Sequence, residues 1–430
     1  MATWQNWAGN QVGHPQSIEH PASEDELVQI VRRAAEQGVR VKVVGSGHSF
    51  TATALTDGVV VQLDRYQRVL EVDTAKRQVT VEAGITLSAL NEVLDARGLA
   101  MANLGDITSQ TISGAISTST HGTGLRLTGI AAQIAGLRIV TGGGEVLVCT
   151  ADDNADVFHA ARVGIGVMGA VSTVTINVVP AFGLHVVEEP LRVDAVLTEL
   201  DAHVEGNDHF EFYWVPHTGW ALTKGNNRTT EPLSPPSRFN HFANKIALEN
   251  YAFGALCRLG RARPALIPHL AKALTATGRT EFVDQSYKVF ATTRLVKFYE
   301  MEYSIERAAC AEALNRVRDL VRSEKLLLNF PVEVRFTAPD DIPLSTGTGR
   351  DSAYIAVHVF QKMEYERYFH GVEAIMNDYG GRPHWGKLHW QTAESLAPRY
   401  PQWDAFAAAR DRVDPEGRFT NDYARRVLGR

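Results

Sequence analysis

The chain has 430 residues, too many for one ordinary hydrophobic core, so two or three domains are expected. Hydrophobic residues make up 44% and charged residues 21%, the balance of a globular protein, and a formal net charge of −6 argues against nucleic acid as a partner. Cys149, Cys257 and Cys310 are far apart and odd in number, a pattern that fits neither a disulfide framework nor a metal cluster and reads as reduced cytoplasmic thiols.

The first residues, Met1 to Trp7, lack the basic stretch and apolar core of a signal peptide, and no apolar run reaches the length of a membrane span. A cytoplasmic protein without integral membrane association is expected. Ser23 with Glu26 has the pattern of a capping box, Leu27, Ile30, Val31 and Ala34 follow helical spacing, and Gly38 ends the helix. A strand over 39–44 comes next. Its apolar run Val41-Lys42-Val43-Val44 delivers the chain into Gly45-Ser46-Gly47-His48-Ser49. Glycine lets a backbone approach a ligand closely and present bare N–H groups, and the histidine offers a nucleophilic ring nitrogen near neutral pH.

Val59 to Leu63, Val69 to Val72 and Val79 to Glu82 read as short strands, and a helix runs from Thr86 to about Ala96 with Leu87, Leu90 and Leu94 on one face. Residues 105–124 are almost free of charge and rich in Ser, Thr and Gly, and the interleaved Ile107, Ile112 and Ile116 favour a buried ligand cradle over a linker. This stretch ends in Ser117-Thr118-Ser119-Thr120-His121-Gly122-Thr123-Gly124, a second hydroxyl- and glycine-rich loop with one histidine. Two such loops suggest a large phosphorylated cofactor clasped between two subdomains. A hairpin follows, 136–141 joined through Gly142-Gly143-Gly144 to 146–148. Gly164-Ile165-Gly166-Val167-Met168-Gly169 fits the dinucleotide fingerprint, but a helix-like segment precedes it and a strand, 171–179, follows it. That order is the reverse of what a nicotinamide site requires, so a tight turn beside the cofactor is expected instead. Pro180 closes this strand and marks the first domain boundary.

Beyond it, 209–215 and 353–360 read as strands of an antiparallel sheet, 305–322 as an amphipathic helix and 228–240 as an exposed loop. Residues 254–279 mix Arg and Lys with Leu, Ala and Ile, the pattern of a membrane-surface or partner helix or, as expected here, of a helix with a solvated face. In Pro331-Val332-Glu333-Val334-Arg335-Phe336, Glu333 and Arg335 share one strand face and Val332, Val334 and Phe336 share the other. The pair is either a polar platform beneath a substrate or a structural ion pair. His358 sits in a second apolar strand, as a satisfied core histidine or a catalytic one. His384-Trp385-Gly386-Lys387 adds a fixed positive charge beside a glycine that permits close approach.

Together these motifs resemble the flavin-binding vanillyl-alcohol oxidase family, also called the p-cresol methylhydroxylase type, and most closely its aldonolactone and sugar-alcohol oxidase branch. The resemblance extends to the closing stretch Asp414-Pro415-Glu416-Gly417-Arg418-Phe419-Thr420-Asn421, where the family's tail returns to the cofactor domain. It implies an α+β fold: a two-subdomain FAD-binding domain over 1–180, a substrate domain with an antiparallel sheet flanked by helices over 181–380, and a C-terminal segment, 381–430. It implies FAD, attached covalently through His48. The residues it places around the cofactor are Gly45, Ser46, Gly47, His48, Ser49, Gly105, Asp106, Thr111, Gly114, Ser117, Thr118, Ser119, Thr120, His121, Val171 and His384. Glu333, Arg335, Lys387 and His358 are the implied catalytic residues, and no metal is implied.

The implied reaction is hydride transfer to flavin from a secondary alcohol of a sugar lactone, such as L-gulono-1,4-lactone at C2, with oxidation of an alditol as the alternative. The family's sugar-alcohol oxidases often carry Ser where this chain has Asp106. Gly105 is placed beside the oxygen-reactive face of the flavin, where a glycine leaves room for O2, so O2 or another redox acceptor is expected to reoxidise it. A flavin reductase of the cell-wall precursor type and a flavin fold without chemistry are the competing classes. The Glu-x-Arg strand with His-Trp-Gly-Lys speaks against both.

Overall fold

A computed structural model describes residues 2–237, 247–248, 250–274, 278–292 and 294–429. The N-terminal part is built on two sheets. In the first, Val59–Gln62 lies between Ser17–Glu19 and Val41–Val44, all parallel. Parallel strands need a crossover, and the helix Glu24–Glu36 supplies one, burying Leu27, Ile30, Val31 and Ala34. Only half of the expected capping box forms. The Ser23 hydroxyl accepts from the Glu26 N–H at 3.2 Å, but the Glu26 carboxylate reaches one residue further back, to the Ala22 N–H at 2.9 Å.

The second sheet is antiparallel, in the order Val146–Thr150, Ile134–Val140, Ala170–Asn177, Gln78–Glu82, Val69–Asp73. Its hairpin turns at Gly142–Gly144, as the sequence predicts. Residues 105–124 contain a helix that composition does not announce, Ile112–Ser117, whose Thr111 hydroxyl accepts from the Gly114 N–H at 3.2 Å. Six residues of Ile, Ser, Gly and Ala are too few to show a helical period.

An eight-stranded sheet forms the rest, in the order Thr280–Gln285, Gly183–Arg192, Trp220–Thr229, His209–Trp214, Val332–Thr337, Ser352–Phe360, Phe298–Glu306, Arg382–Pro383. Every neighbour is antiparallel. Side chains alternate across such a sheet, so each face collects every second residue. One face takes Phe210, Phe212, Val332, Val334, Phe336, Ile355, Val357, Met301 and Tyr303, and packs on the helices Cys310–Ser323 and Glu366–Asp378. The other face is polar and turns toward the cofactor half. The helix expected at 305–322 starts five residues late, because the strand's alternation continues through Glu306.

Among the described residues the buried apolar side chains form two large cores and two smaller clusters. The first joins Leu27 through Val178 with Trp385, Tyr400, Phe406, Phe419, Tyr423 and Val427, so the C-terminal helices share a core with the first two sheets. Asn421 pins this return, its side-chain amide donating to the carbonyls of Ala52 at 2.9 Å and Leu55 at 2.8 Å. Residues 231–235 are exposed, as expected of a loop, although the preceding strand runs on to Thr229, and 238–240 lie outside the described residues. The basic-apolar stretch forms the helices Phe253–Ala262 and Ile267–Leu274, with Arg258 and Arg261 exposed and Cys257 buried. Positions 275–277 lie outside the described residues. All three cysteines are buried free thiols. Among the described residues no helix is long and apolar enough to cross a membrane.

Candidate active site

The strand Val41–Val44 ends at a void of about 820 Å³, part of it open to solvent. Gly45, Ser46, Gly47, His48 and Ser49 form one wall, Thr111, Gly114, Ser117 and Thr118 a second, and Gly166, Gly169 and Val171 a third. The walls meet closely at Gly45, where a Cβ would lie 2.4 Å from the Thr111 hydroxyl oxygen. The fingerprint-like Gly164–Gly169 segment is the tight turn its context predicts. The helix Ala155–Ala161 precedes it, the strand Ala170–Asn177 follows it, and Gly166 and Gly169 take positive φ values of 68° and 96°.

His48 stacks against Trp7 with ring centroids 5.4 Å apart. Its Nε2 lies 2.8 Å from the Ser109 hydroxyl oxygen, while its Nδ1 is buried with no partner. Burial, reinforced by the positive charge of Lys387, lowers its pKa to about 4, so the ring is neutral and nucleophilic at pH 7. A cleft walled by hydroxyls and glycine backbone suits a phosphorylated cofactor.

Ser119, Thr120 and His121 are not part of that wall. Ser119 takes a positive φ of 64° and places its hydroxyl 3.2 Å from that of Thr346. His121 stacks on Tyr354 of the large sheet, centroids 3.6 Å apart. Gly105 faces not open space but the His121 carbonyl oxygen, 3.0 Å from where a Cβ would stand. The glycine lets two loops pass closely.

The polar face of the large sheet supplies a dense set of charges. Register puts Glu333 opposite Tyr213 and Ala356, Arg335 opposite Tyr354, Glu211 opposite Lys224, and Glu300 opposite His358. Opposed residues in antiparallel strands project to the same face, so all of these meet. Arg335 bonds Glu211 at 3.0 Å through Nε and pairs through Nη2 with Glu333 and with Asp106, the latter at 2.5 Å. Asp106 thus projects from the cofactor-side loop into the charge cluster of the other half, and its second oxygen holds Arg294 at 2.9 Å. Burial alone would raise the Asp106 pKa, but Arg335 and Arg294 outweigh it and hold the carboxyl well below the usual range.

Glu333 behaves oppositely. Burial, with the negative charges of Asp106 and Glu211, pushes its pKa up to about 7 despite Arg335. The Tyr213 hydroxyl lies 3.1 Å from Glu333 and 3.2 Å from Glu211. Next along the face, the His358 Nε2 is 3.3 Å from Glu300 and 4.0 Å from Glu333, and its Nδ1 is 3.1 Å from the Pro331 carbonyl oxygen. Lys387 forms an ion pair with Glu300. Burial would lower its pKa, but Glu300 and Glu302 raise it, so the ammonium is fixed. Glu302 also lies 3.4 Å from His121 Nε2. His384 is buried beside them, its Nδ1 accepting the Gly386 N–H at 3.1 Å, and burial lowers its pKa to about 3. The sequence reading did not single out Glu211, Tyr213, Lys224, Arg294, Glu300, Glu302 or Ser109. Alternation in Phe210-Glu211-Phe212-Tyr213 and in Glu300-Met301-Glu302-Tyr303 carried a signal for four of them.

A cofactor cradle facing a charged antiparallel sheet defines a two-part flavoprotein oxidoreductase. The family model described as FAD binding domain matches residues 15–150, and that of D-arabinono-1,4-lactone oxidase matches residues 174–427. The chain belongs to the D-arabinono-1,4-lactone oxidase family and binds FAD, which bears out the resemblance to the aldonolactone branch of the vanillyl-alcohol oxidase type. It is 49% identical to an L-gulono-1,4-lactone dehydrogenase of Mycobacterium tuberculosis, covering 99% of each chain. It is 36% identical to the L-gulonolactone oxidase of Bos taurus over 99% of this chain and 98% of that one. A solvent-stable cholesterol oxidase shares the fold, with a TM-score of 0.84 at 18% identity over 98% of this chain and 96% of the other.

Proposed function

We propose that this protein oxidises the C2 hydroxyl of an aldono-1,4-lactone, with L-gulono-1,4-lactone as the first candidate. The names of its relatives support the substrate class, and one feature of the chain carries the chemistry: Glu333, Arg335 and Lys387 converge from two segments on one polar face, with the charge of Lys387 felt at His48 in the cofactor cradle. Bound FAD supplies the hydride acceptor. The substrate hydroxyl must also lose a proton, and Glu333, with its pKa raised to about 7, is suited to receive it. Arg335 and Lys387 stabilise the negative charge that develops on the oxygen, an effect worth about 3–4 kcal/mol per well-placed donor. Glu211 and Asp106 fix Arg335, and Glu300 fixes Lys387, so neither cation reorganises during the reaction.

We read the flavin as covalently attached to His48, and O2 or another redox acceptor as the species that reoxidises it. The buried free thiols support a cytoplasmic setting. The parts read from the sequence, 1–180, 181–380 and 381–430, serve as cofactor domain, substrate domain and returning tail. The deciding experiment is anaerobic titration of the purified protein with L-gulono-1,4-lactone, D-arabinono-1,4-lactone, xylitol and NADPH. Bleaching of the flavin by lactones at concentrations where xylitol and NADPH do nothing is the expected result. Bleaching by NADPH or xylitol alone would replace the proposal. Peroxide formed during turnover in air would identify O2 as the acceptor.

A further inference from the structure

Lys42 interrupts the apolar strand Val41–Val44, yet only 1% of it is exposed, and it ranks among the largest fully buried side chains. Its Nζ donates to the Gly166 carbonyl at 2.9 Å and to the Phe419 carbonyl at 2.9 Å. Burial pulls its pKa down to about 7, and the negative charge of Asp414 opposes the shift. A buried amine is costly without partners, and a backbone carbonyl turned inward needs a donor just as much.

The two carbonyls come from different parts of the chain. Gly166 lies in the Gly164–Gly169 turn and lines the third wall of the cradle. Its φ is 68°, and a Cβ there would stand 3.4 Å from the Lys42 Nζ, so turn and ammonium meet closely. Phe419 lies in the tail that returns from the substrate half. That tail is folded onto the strand beside Lys42. The Asp414 carboxylate accepts the Arg418 and Phe419 N–H groups, both at 2.8 Å, and the Arg418 carbonyl accepts the Val41 N–H at 2.9 Å. On its cradle side the turn is held by the Ile165 N–H, which donates to the Ser117 carbonyl of the second wall at 3.0 Å.

We infer that Lys42 is a positioning residue for the cofactor: it fastens the Gly164–Gly169 turn to the returning tail and so fixes the third wall of the FAD cradle. An ammonium has three N–H donors and no acceptor, so one group serves both carbonyls. Methionine at this position keeps most of the volume and leaves both carbonyls unpaired. The Gly166 carbonyl then turns toward water, and the wet space that the turn borders is the cradle itself. The inference is independent of the lactone oxidised and of how the flavin is attached.

The test compares wild type, Lys42→Met, Lys42→Gln and Val427→Ala, expressed identically as full chains. Val427 is fully buried in the tail helix Asp422–Leu428 and does not line the cradle, so its variant reports lost stability alone. Flavin per chain, visible circular dichroism of the bound flavin and thermal midpoint are measured. Lys42→Met should carry less flavin than Val427→Ala at a comparable loss of midpoint, by roughly 3- to 10-fold, the factor to which one lost hydrogen bond converts. The flavin it retains should show an altered dichroism band. Lys42→Gln, whose shorter amide still donates two N–H groups, should fall between Lys42→Met and Val427→Ala. Flavin content and dichroism in Lys42→Met equal to those of Val427→Ala would overturn the inference. Where Lys42→Met yields no folded protein, Lys42→Gln decides by the same comparison: less flavin than Val427→Ala supports the tie, and equal flavin with an unchanged band overturns it.

Discussion

The Asp106 carboxylate lies 2.5 Å from the Arg335 guanidinium and, through its other oxygen, 2.9 Å from Arg294, so one acid of the cofactor-side loop holds two cations of the substrate half. The backbone reinforces the junction, with the Thr292 N–H donating to the Asp106 carbonyl at 2.9 Å. Asp106→Asn keeps the shape and removes the charge, leaving Glu211 and Glu333 to balance Arg335. A charged hydrogen bond contributes about 1.5–3 kcal/mol, which converts to roughly a 10- to 100-fold loss. Steady-state kinetics with L-gulono-1,4-lactone should show kcat/KM lowered by that factor. An unchanged kcat/KM would mean that the junction does not support the reaction.

The proposed role of Glu333 as the base predicts a pH dependence. As a base it must be ionised, so flavin reduction should rise with pH and level off above about 7. Glu333→Gln should lose this limb and slow reduction about 100-fold or more across the range. Stability runs the other way. A carboxyl whose folded pKa is raised from 4.5 to about 7 favours the fold fully below pH 4.5, and that contribution is lost as pH rises to about 7. Glu333→Gln should therefore gain thermal midpoint relative to wild type as the pH is raised from 5 to 8. Parallel midpoints over that range would show that the folded pKa is ordinary.

The local part of this site is legible in the sequence, and the long-range part is not. Alternation alone places Glu333 and Arg335 on one strand face and Val332, Val334 and Phe336 on the other, and the sheet has that arrangement. The glycine-histidine loop and the misleading glycine fingerprint are also readable, because the elements flanking them are strongly patterned. Which residues meet Arg335 is decided by strand register across 120 or more positions, as with Tyr213 and Glu333, and by a loop contact from Asp106. No local pattern encodes such pairings. Arg294 sits in irregular chain between an α-helix and a strand, where periodicity says nothing.

Gly45 tests the cradle without touching the polar face of the large sheet. A methyl group there would stand 2.4 Å from the Thr111 hydroxyl oxygen, which also caps the short helix of the opposite wall. Either the walls part or the cap breaks, and overpacking of this kind costs about 1–3 kcal/mol. Gly45→Ala should purify with clearly less flavin per chain and a lower thermal midpoint. Full flavin content at the wild-type midpoint would show that the walls have slack.

Lys387 separates binding from chemistry. Its ammonium is held by Glu300 on the polar face, and it reaches that face from the His384–Lys387 turn, where its own N–H donates to the His384 carbonyl at 2.9 Å. A cation already fixed in the ground state does most for a charge that appears only as the substrate hydroxyl loses its proton. Lys387→Met should therefore slow flavin reduction about 10²- to 10³-fold while the lactone dissociation constant changes much less. Glu300 then keeps His358 at 3.3 Å as a partner, which limits the damage to folding. Anaerobic stopped-flow absorbance resolves both quantities from the concentration dependence of the reduction rate. A variant that reduces its flavin at the wild-type limiting rate but needs far more lactone would reassign Lys387 to ground-state binding.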